Sequence, residues 1–418
     1  MVAPHPILIL PFALLLGAMA LMPVAAPGWW AKHYAKVALG LGAVTAGIYF
    51  FALHDTASLG HAAQEYISFI ALVGSLFVVA GGIHLKVKGE ATPLANVLFL
   101  FLGAIAANFL GTTGAAMLLI RPWIRMNQYR VTAHHIVFFI FIIANIGGCL
   151  TPIGDPPLFL GYLQGIPFWW VAQKCWPMWA TGTGLLLAIF YVVDKRNFYR
   201  APKTVREKEA AHETWQFEGL SNLFFLAVIV GAVFVNRPPL LREILMIAAA
   251  AGSFFTTKKS VHAANAFNFR PAIEVAVLFA GIFATMIPAL AWLDCNATAL
   301  LGQNPNPGIF YWGTGALSAV LDNAPAYLGF LSTLFGVTGA PNIAALLDQK
   351  TAHLLAISIG AVFFGAATYI GNGPNFMVKA IAEERGVRVP SFLEFVWKFS
   401  LPFLLPVLVI IWLLYFQD

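Results

Sequence analysis

The sequence predicts an all-α polytopic membrane protein made of two inverted repeats. Of its 418 residues, 60% are hydrophobic and only 10% are charged, whereas a soluble globular domain carries roughly 25% charged residues. Apolar runs of about 20 residues, the length that crosses a bilayer as a helix, recur along the whole chain. The same order of elements occurs twice. We therefore expect about ten transmembrane helices, two of them broken, plus two re-entrant helical hairpins and no separate soluble domain.

The first repeat is predicted at residues 1–193. Three full spans are followed by a Gly-rich interrupted stretch at 93–126, a span broken by Gly and Pro at 132–168, and one more full span. The interrupted stretch is expected to form a helical hairpin, because Gly and Pro at membrane depth persist only where protein or a hydrated cavity covers the freed backbone. A polar, basic segment at 194–219 then predicts a cytoplasmic linker.

The second repeat is predicted at residues 220–418, with its hairpin at 308–336 and its broken helix at 351–385. The two breaks match in sequence, since Ile153-Gly-Asp-Pro-Pro157 aligns with Ile370-Gly-Asn-Gly-Pro374. Asn108 and Asn323 are expected at the tips of the two hairpins. Recurrence of this kind indicates an internal duplication.

The basic residues predict the orientation. With the N- and C-termini outside, every Lys and Arg falls on the inside except Lys174, Arg237, Arg242 and Lys350, which agrees with the positive-inside rule. Each half then crosses an odd number of times, so the second half is inverted. Inverted repeats with discontinuous helices are typical of alternating-access carriers.

The first break is the most informative segment of the chain. Its sequence is Asn145-Ile-Gly-Gly-Cys-Leu-Thr-Pro-Ile-Gly-Asp-Pro-Pro157, and an ionisable side chain at membrane depth indicates a functional site. The alternative is a proline kink with a snorkelling aspartate. We expect a central site where the hairpin tips meet the breaks, formed by Asn108, Thr112, Thr113, Asn145, Thr151, Gly154, Asp155, Asp322, Asn323, Asn372 and Asn375.

The fixed charges in these segments favour a cation as the bound species. Unwound carbonyls and side-chain oxygens suit small hard cations, while the N-termini of half-helices suit anions. Asp155 and Asp322 are acids, and no Lys or Arg lies at the tips or breaks. Two such carboxylates can exchange a proton for a metal ion, with sodium expected at Asp155 and Asp322. An anion would be repelled unless bound cations neutralised them.

Other classes of function are not expected. No HExxH, GxSxG, nucleotide-binding or Cys/His metal motif occurs, so neither an enzyme nor ATP-driven transport is predicted. The net charge of +6 comes from residues scattered through short loops, which does not indicate a nucleic-acid partner. The cysteines, Cys149, Cys175 and Cys295, lack CxxC spacing and are expected to be packing residues. A channel stays an alternative from a different class.

Three runs of sequence resemble the ion transporter superfamily, which contains NhaD-type sodium/proton antiporters, citrate-metal and dicarboxylate carriers, and arsenite permeases. They are Asn145 to Asp155, Gly111 to Arg121 and Ser318 to Pro325. The closest resemblance is to NhaD-type antiporters and citrate-transporter-like (CitMHS-type) membrane proteins, through Gly-Gly-x-x-(Thr/Ser)-Pro-Ile-Gly-Asp and Asp-Asn-x-Pro. Dicarboxylate carriers have Ser-Asn-Thr at both hairpin tips, which this chain lacks.

The resemblance implies a scaffold and a mobile transport core in each half, a homodimer, and a place in the bacterial inner (plasma) membrane. The expected function is a secondary active transporter, a sodium/proton antiporter that exchanges cation and proton on its carboxylates by alternating access. Sodium or lithium and protons would be cargo, with no cofactor. The alternative is a carrier of a carboxylate (citrate or dicarboxylate) or an arsenite-like oxyanion, coupled to cations.

Overall fold

The predicted fold class is confirmed. The computed structural model describes residues 4–88, 92–200, 214–235 and 237–417, which are almost wholly helical. Within those ranges, eight helices are long and apolar enough to cross a membrane, and a ninth is reached if one sharply bent pair counts as a single span. The eight include Pro93–Met126, which folds into a hairpin, and they leave out shorter apolar helices such as Asn222–Val233 and Thr351–Ala367. The count by length therefore differs from the expected ten transmembrane helices.

The long helices of the two halves follow one another in a similar order, whereas the two strands and two short helices of the second half do not repeat. The first half contains α1 (Leu10–Ala25), α2 (Pro27–Gly47), α3 (Thr56–Gly81), β1 (His84–Lys88), α4 (Pro93–Met126), α5 (Ala133–Ile142), α6 (Pro156–Leu163) and α7 (Phe168–Arg200). The second half contains β2 (Thr214–Glu218), α8 (Asn222–Val233), α9 (Leu241–Thr256), α10 (Lys259–Ala264), α11 (Arg270–Leu301), α12 (Pro307–Val320), α13 (Asn323–Thr338), α14 (Ile343–Gln349), α15 (Thr351–Phe364), α16 (Gly373–Glu384) and α17 (Phe392–Tyr415, π-helical from Val396 to Leu404).

Helix α4 is a hairpin folded at Gly111. This residue has φ +72° and ψ 154°, outside the helical region, a conformation that glycine adopts without steric cost. The two halves of α4 lie side by side, since the amides of Asn96 and Asn127 bond each other at 2.8 and 3.1 Å. The rings of Phe99 and Trp123 stack with centroids 5.3 Å apart. The chain therefore enters and leaves on one face.

Helices α12 and α13 form the corresponding hairpin of the second half. The two helices are joined by Leu321 and Asp322, whose backbone is extended. The ring centroids of Phe310 on α12 and Phe330 on α13 lie 6.2 Å apart. Both hairpins also begin alike, with a side-chain cap followed by proline. Thr92 accepts from Ala95 N at 3.2 Å, and Asn306 accepts from Ile309 N at 3.0 Å, so the same local chemistry starts each one.

Two helices are broken by sequences that contain glycine pairs or separated glycines, and each break is followed by proline. The first break, residues 143–155, separates α5 from α6, and the second break, residues 365–372, separates α15 from α16. The residues before the second segments, Asp155 and Asn372, have extended backbone, and a proline lies in the first turn that follows each. Proline is tolerated there because its missing N–H has no partner in a first helical turn.

The remaining helices of the first half pack closely against those of the second half. Helices α2 and α11 cross so closely that a Cβ added at Gly281 would lie 2.6 Å from the carbonyl oxygen of Ala38. On α3 and α11, the rings of Phe69 and Phe279 stack at 4.6 Å. At the end of α3, Asn222 donates to the carbonyl of Gly82 at 2.8 Å, so the second half caps a helix of the first.

The linker begins later than the sequence predicts. Helix α7 continues to Arg200, and Asp194, the expected first linker residue, is fully buried. Its carboxylate is bound by both terminal nitrogens of Arg130, a partner distant in sequence. Residues 201–213 of the expected linker lie outside the described residues.

The end of the linker forms β2, which pairs antiparallel with β1. The Nζ of Lys86 lies 2.6 Å from Glu218 Oε1. This hydrogen bond and the ammonium charge of Lys86 hold the pKa of the Glu218 carboxyl below its ordinary value. The sheet thus connects the end of the linker to the end of α3.

Replacing Asp194 with Asn is expected to destabilise the protein strongly. The guanidinium of Arg130 would stay buried without its counter-charge, and breaking such a pair from one side costs about 3–5 kcal/mol. The measurement is the midpoint of thermal unfolding of purified protein in detergent. Glu394→Gln is the matched control, because it removes a partly exposed ion pair with Lys398 and should leave the midpoint unchanged. Equal midpoints for both variants would contradict the assignment.

Candidate functional site

The first hairpin and the first break are joined by hydrogen bonds that replace those lost from the helix. Asn108 Nδ2 donates to the carbonyl of Gly147 at 2.7 Å, and its Oδ1 accepts from Leu150 N at 2.8 Å. Thr151 Oγ1 donates to the carbonyl of Asn108 at 2.6 Å. Past the hairpin tip, Thr112 N donates to the carbonyl of Gly154 at 2.7 Å. Asn108 and Thr151 therefore hold the break open.

The second hairpin and the second break make corresponding contacts. Thr368 Oγ1 donates to the carbonyl of Ala319 at 2.7 Å, as Thr151 does to that of Asn108. It also accepts from Gly371 N at 3.1 Å, as Thr151 does from Gly154 N at 3.2 Å.

In both breaks a pair of glycine backbones crosses. A Cβ added at Gly154 would lie 1.9 Å from the carbonyl oxygen of Gly148. One added at Gly371 would lie 2.7 Å from that of Gly365. Any side chain would force the crossing segments apart, so the breaks require glycine at these positions.

Asp155 lies where the four segments meet. Its side chain is buried, with 1% of the residue exposed. Oδ1 accepts from Thr112 Oγ1 at 2.7 Å and from Asn372 Nδ2 at 3.0 Å, and Oδ2 accepts from Asn323 Nδ2 at 2.6 Å. The donors come from both hairpins and from the opposite break. All three are electrically neutral groups, and the described ion pairs do not include Asp155.

Three asparagines link the two breaks behind Asp155. Asn145 Nδ2 donates to Asn375 Oδ1 at 2.7 Å, and Asn372 Nδ2 lies 3.2 Å from Asn145 Oδ1. Asn375 Nδ2 in turn donates to the carbonyls of Gly365 and Thr368, both at 2.8 Å. The amides thus form a chain of donors and acceptors that fixes the orientation of Asn372 toward Asp155.

The structure corrects the pairing of the hairpin tips. Asn108 lies one turn before the tip of its hairpin, whereas Asn323 is the first residue after the other tip. By its contact with Asp155, the counterpart of Asn323 is Thr112. The expectation that Asn108 and Asn323 occupy equivalent tips was wrong, because the spacing between hairpin and break differs in the two halves.

Asp322 occupies the tip of the second hairpin, next to Asn323. It is partly exposed, and its Oδ1 accepts from Ala324 N at 3.1 Å as a helix cap. No hydrogen bond joins the carboxylates of Asp322 and Asp155 among the described contacts. Asp155 alone is therefore enclosed by donors, and Asp322 adds a second negative charge at the edge of the site.

A cavity of about 20 Å³ adjoins Asp155. Its polar walls include Thr112, Thr113, Gly154 and Asp155, and its apolar walls include side chains of α3 and α6. Space for one water-sized sphere needs about 10–15 Å³. The cavity therefore has room for one water molecule or one small ion, but not for an organic acid.

One buried oxygen beside Asp155 has no partner in the described structure. Asn323 is fully buried, and its Oδ1 makes no hydrogen bond there, while its Nδ2 faces the carboxylate. A carboxylate only accepts hydrogen bonds, which explains why the amide nitrogen points to it. An orphaned carbonyl oxygen next to an acid is a suitable ligand for a hard cation.

Elsewhere in the described ranges, His134, His135 and Asp194 bring potential metal-ligating atoms within 4.8 Å of one another. The Asp194 carboxylate already binds Arg130, whose positive charge disfavours a second cation. We interpret this group as a buried ion-pair network. The sequence did not reveal it, because Arg130 and Asp194 both looked like loop residues flanking spans.

The fold, with broken helices and hairpins surrounding a buried polar centre, defines an integral membrane protein of the secondary-transporter class. The chain matches the model of the family described as "Putative citrate transport" over residues 3–416, and it belongs to this family. It is also similar to the "46 kDa membrane protein" of Mycobacterium leprae (strain TN), with 26% identity over 333 residues that cover 74% of each chain.

Gly371→Ala is expected to lower the thermal unfolding midpoint, whereas Gly373→Ala, two residues away, should not. A Cβ at Gly371 would lie 2.6 Å from the carbonyl oxygen of Ser318. That oxygen belongs to the backbone, which cannot move aside without a cost in free energy. A Cβ at Gly373 would have no atom within 4 Å. Overpacking of this kind costs about 1–3 kcal/mol. Thermal scans in detergent compare the two, and equal midpoints would refute the close crossing of the backbones.

Proposed function

We propose that the protein is a sodium/proton antiporter in which Asp155 carries the two ions in turn. The observation that supports this most directly is the buried Asp155 carboxylate, whose hydrogen-bond donors are all neutral. An unpaired charge at membrane depth costs several kcal/mol. The carboxylate therefore needs a proton or a cation, and because both neutralise the same oxygens, they compete.

The neighbouring groups suit a small hard cation. Asn323 contributes an unpartnered amide oxygen beside the carboxylate, and the adjoining cavity of about 20 Å³ admits one small ion. Oxygen ligands of this kind are typical of alkali and alkaline-earth ions. The expected ligands are thus Asp155 and Asn323, with Thr112 and Asn372 orienting the carboxylate.

The position of the site between the two halves supports alternating access. Asp155 and Thr112 belong to the first half, and Asn323 and Asn372 belong to the second. A change in the position of the hairpins would alter the donors around the carboxylate. The affinity of Asp155 for proton and cation would then differ between the two conformations.

A carboxylate carrier is the second candidate, because the family is described by citrate transport. The helices that begin after Asp322 and Asn372 present N-terminal amides, which attract anions. Asp155 would oppose a bound anion unless a cation neutralised it, so uptake would be coupled to cations. The cavity of about 20 Å³ would also have to widen before citrate could enter.

Asp155→Asn is expected to abolish exchange, since the amide can carry neither a proton nor a charge-compensated cation. Everted membrane vesicles with a pH-sensitive dye measure the dissipation of ΔpH on addition of NaCl or LiCl. Asp348→Asn, which neutralises an exposed acid, should behave like the wild type. Normal exchange in Asp155→Asn would remove this residue from the mechanism.

The same vesicles distinguish the sodium/proton antiporter from the carboxylate carrier. If the inserted wild-type protein shows no response to sodium or lithium, the antiporter proposal is wrong. Saturable, sodium-dependent uptake of radiolabelled citrate by such vesicles would then identify the carboxylate carrier.

Asn323→Ala is expected to raise the KM for sodium by about tenfold or more, because a hydrogen bond to a charged group contributes about 1.5–3 kcal/mol. The change also removes the unpartnered oxygen. Asn296→Ala is the control, since Asn296 donates to a carbonyl of its own helix, that of Trp292. A sodium KM equal to that of the control would exclude Asn323 as a ligand.

A further inference from the structure

A second, much larger cavity opens beside the start of α3. Its volume is about 610 Å³. Its walls come from the first four turns of α3, from Arg242 at the start of α9, from Tyr162 and Leu163 at the end of α6, and from residues 165–167 after it. His61 at its rim has a side chain that is 66% exposed, and Gly165 and Pro167 are exposed as well. The predicted topology places this face outside.

The charges around this cavity leave one acid without a fixed counter-ion. Arg242 and Glu243 pair at 2.8 Å, and Ser68 Oγ donates to Glu243 at 2.6 Å. Glu65 instead accepts from the neutral Gln164 Nε2 at 2.5 Å, and His61 Nδ1 lies 3.6 Å away. The Glu65 side chain is 10% exposed. With Arg242 already paired, a carboxylate at the wall of a wide polar cavity attracts cations.

The wide cavity and the small cavity at Asp155 lie along the same groove between α3 and α6. On α3, Glu65 and Ser68 line the first, and Leu72 and Leu76 line the second. Steps of three or four residues keep these side chains on one helical face. On α6, Phe159 lines the small cavity and Tyr162 the large one, again three residues apart.

On both helices, the residue of the small cavity that is nearest in sequence to the wide cavity is apolar. Leu72 and Phe159 are buried, with 2% and 1% of each residue exposed. Ser68 and Leu72 are four residues apart on α3, which corresponds to about 6 Å along the helix axis. The barrier between the wide cavity and the Asp155 site is therefore about one helical turn thick.

We propose that the wide cavity is the outer vestibule of the transport path and that Glu65 captures a monovalent metal cation there. The ion then passes Leu72 and Phe159 to reach Asp155. The identity of the ion rests on the proposed function, whereas the existence of the vestibule does not. Gln164, by binding Glu65, holds the segment after α6 against α3 at the vestibule wall.

Cysteine labelling tests the vestibule without reference to transport. The native thiols Cys149 and Cys175 are buried, and Cys295 is exposed, so Cys295→Ser provides the background. A membrane-impermeant maleimide applied to intact cells should label Gln64→Cys, since Gln64 is exposed and lines the wide cavity. It should not label Ser75→Cys, which changes a buried serine about three turns further along the same helix. Equal reactivity of the two variants, or no labelling of Gln64→Cys from outside, would overturn the vestibule.

Kinetics test the role of Glu65. Glu65→Gln should raise the KM for sodium offered on the vestibule face by roughly tenfold, the lower end of the effect of a focusing charge. The maximal rate and the KM on the opposite face should not change. Right-side-out and everted vesicles provide the two faces, and Glu65→Asp should restore the KM. Asp348→Asn, an exposed acid predicted on the same face, is the control for surface charge.

The outcomes separate the two proposals. An unchanged KM on the vestibule face, or an equal rise on both faces, would exclude capture by Glu65. If the wild type exchanges no sodium at all, the antiporter proposal and the capture of sodium both fail, and the labelling result alone then decides whether the vestibule exists.

Discussion

The hydrogen bonds between the Asp155 carboxylate and amide donors of the opposite half are the interaction on which the rest of the structure depends. A buried acid needs several donors, and a continuous helix cannot supply them. Asn323 and Asn372 reach Asp155 only because both hairpins and both breaks meet at one point. The glycine crossings at Gly154 and Gly371 allow that approach, since a single methyl group would block either one.

The hairpins also provide hydrogen-bond partners for the unwound backbone of the breaks. Unwinding a helix at membrane depth frees peptide groups that lipid cannot satisfy. In the first half, Asn108 and Thr112 provide the missing partners for the backbone of the break, and Thr151 returns a bond to the hairpin. The first hairpin therefore supplies hydrogen bonds that water would otherwise make to the first break, and the break in turn binds the hairpin near its tip.

The sequence predicts the helical class, the hairpins and the breaks well, because hydropathy and Gly/Pro clusters act locally. It also places Thr112, Asn323 and Asn372 in one central site with Asp155, but it does not predict which of the site residues contact the carboxylate. Which residue lies at a hairpin tip depends on where a helix ends, and the sequence gives that end only to within about one turn. It therefore predicts Asn108 at the tip, whereas the chain folds at Gly111, directly before Thr112. Asp194 was assigned to the linker because its partner, Arg130, is 64 residues away. Contacts at such separations leave no local pattern in a single sequence.

The site is symmetric in geometry and asymmetric in charge, which bears on the stoichiometry of the proposed exchange. The two breaks place Asp155 and Asn372 at matching positions, but only one of them can bind a proton. An acid that holds one sodium ion in one direction and one proton in the other transfers no net charge. Exchange at Asp155 alone would thus be electroneutral. Transport driven by membrane potential would need a second titrating group, and Asp322, which is partly exposed and adjacent to the proposed ligand Asn323, would be the candidate.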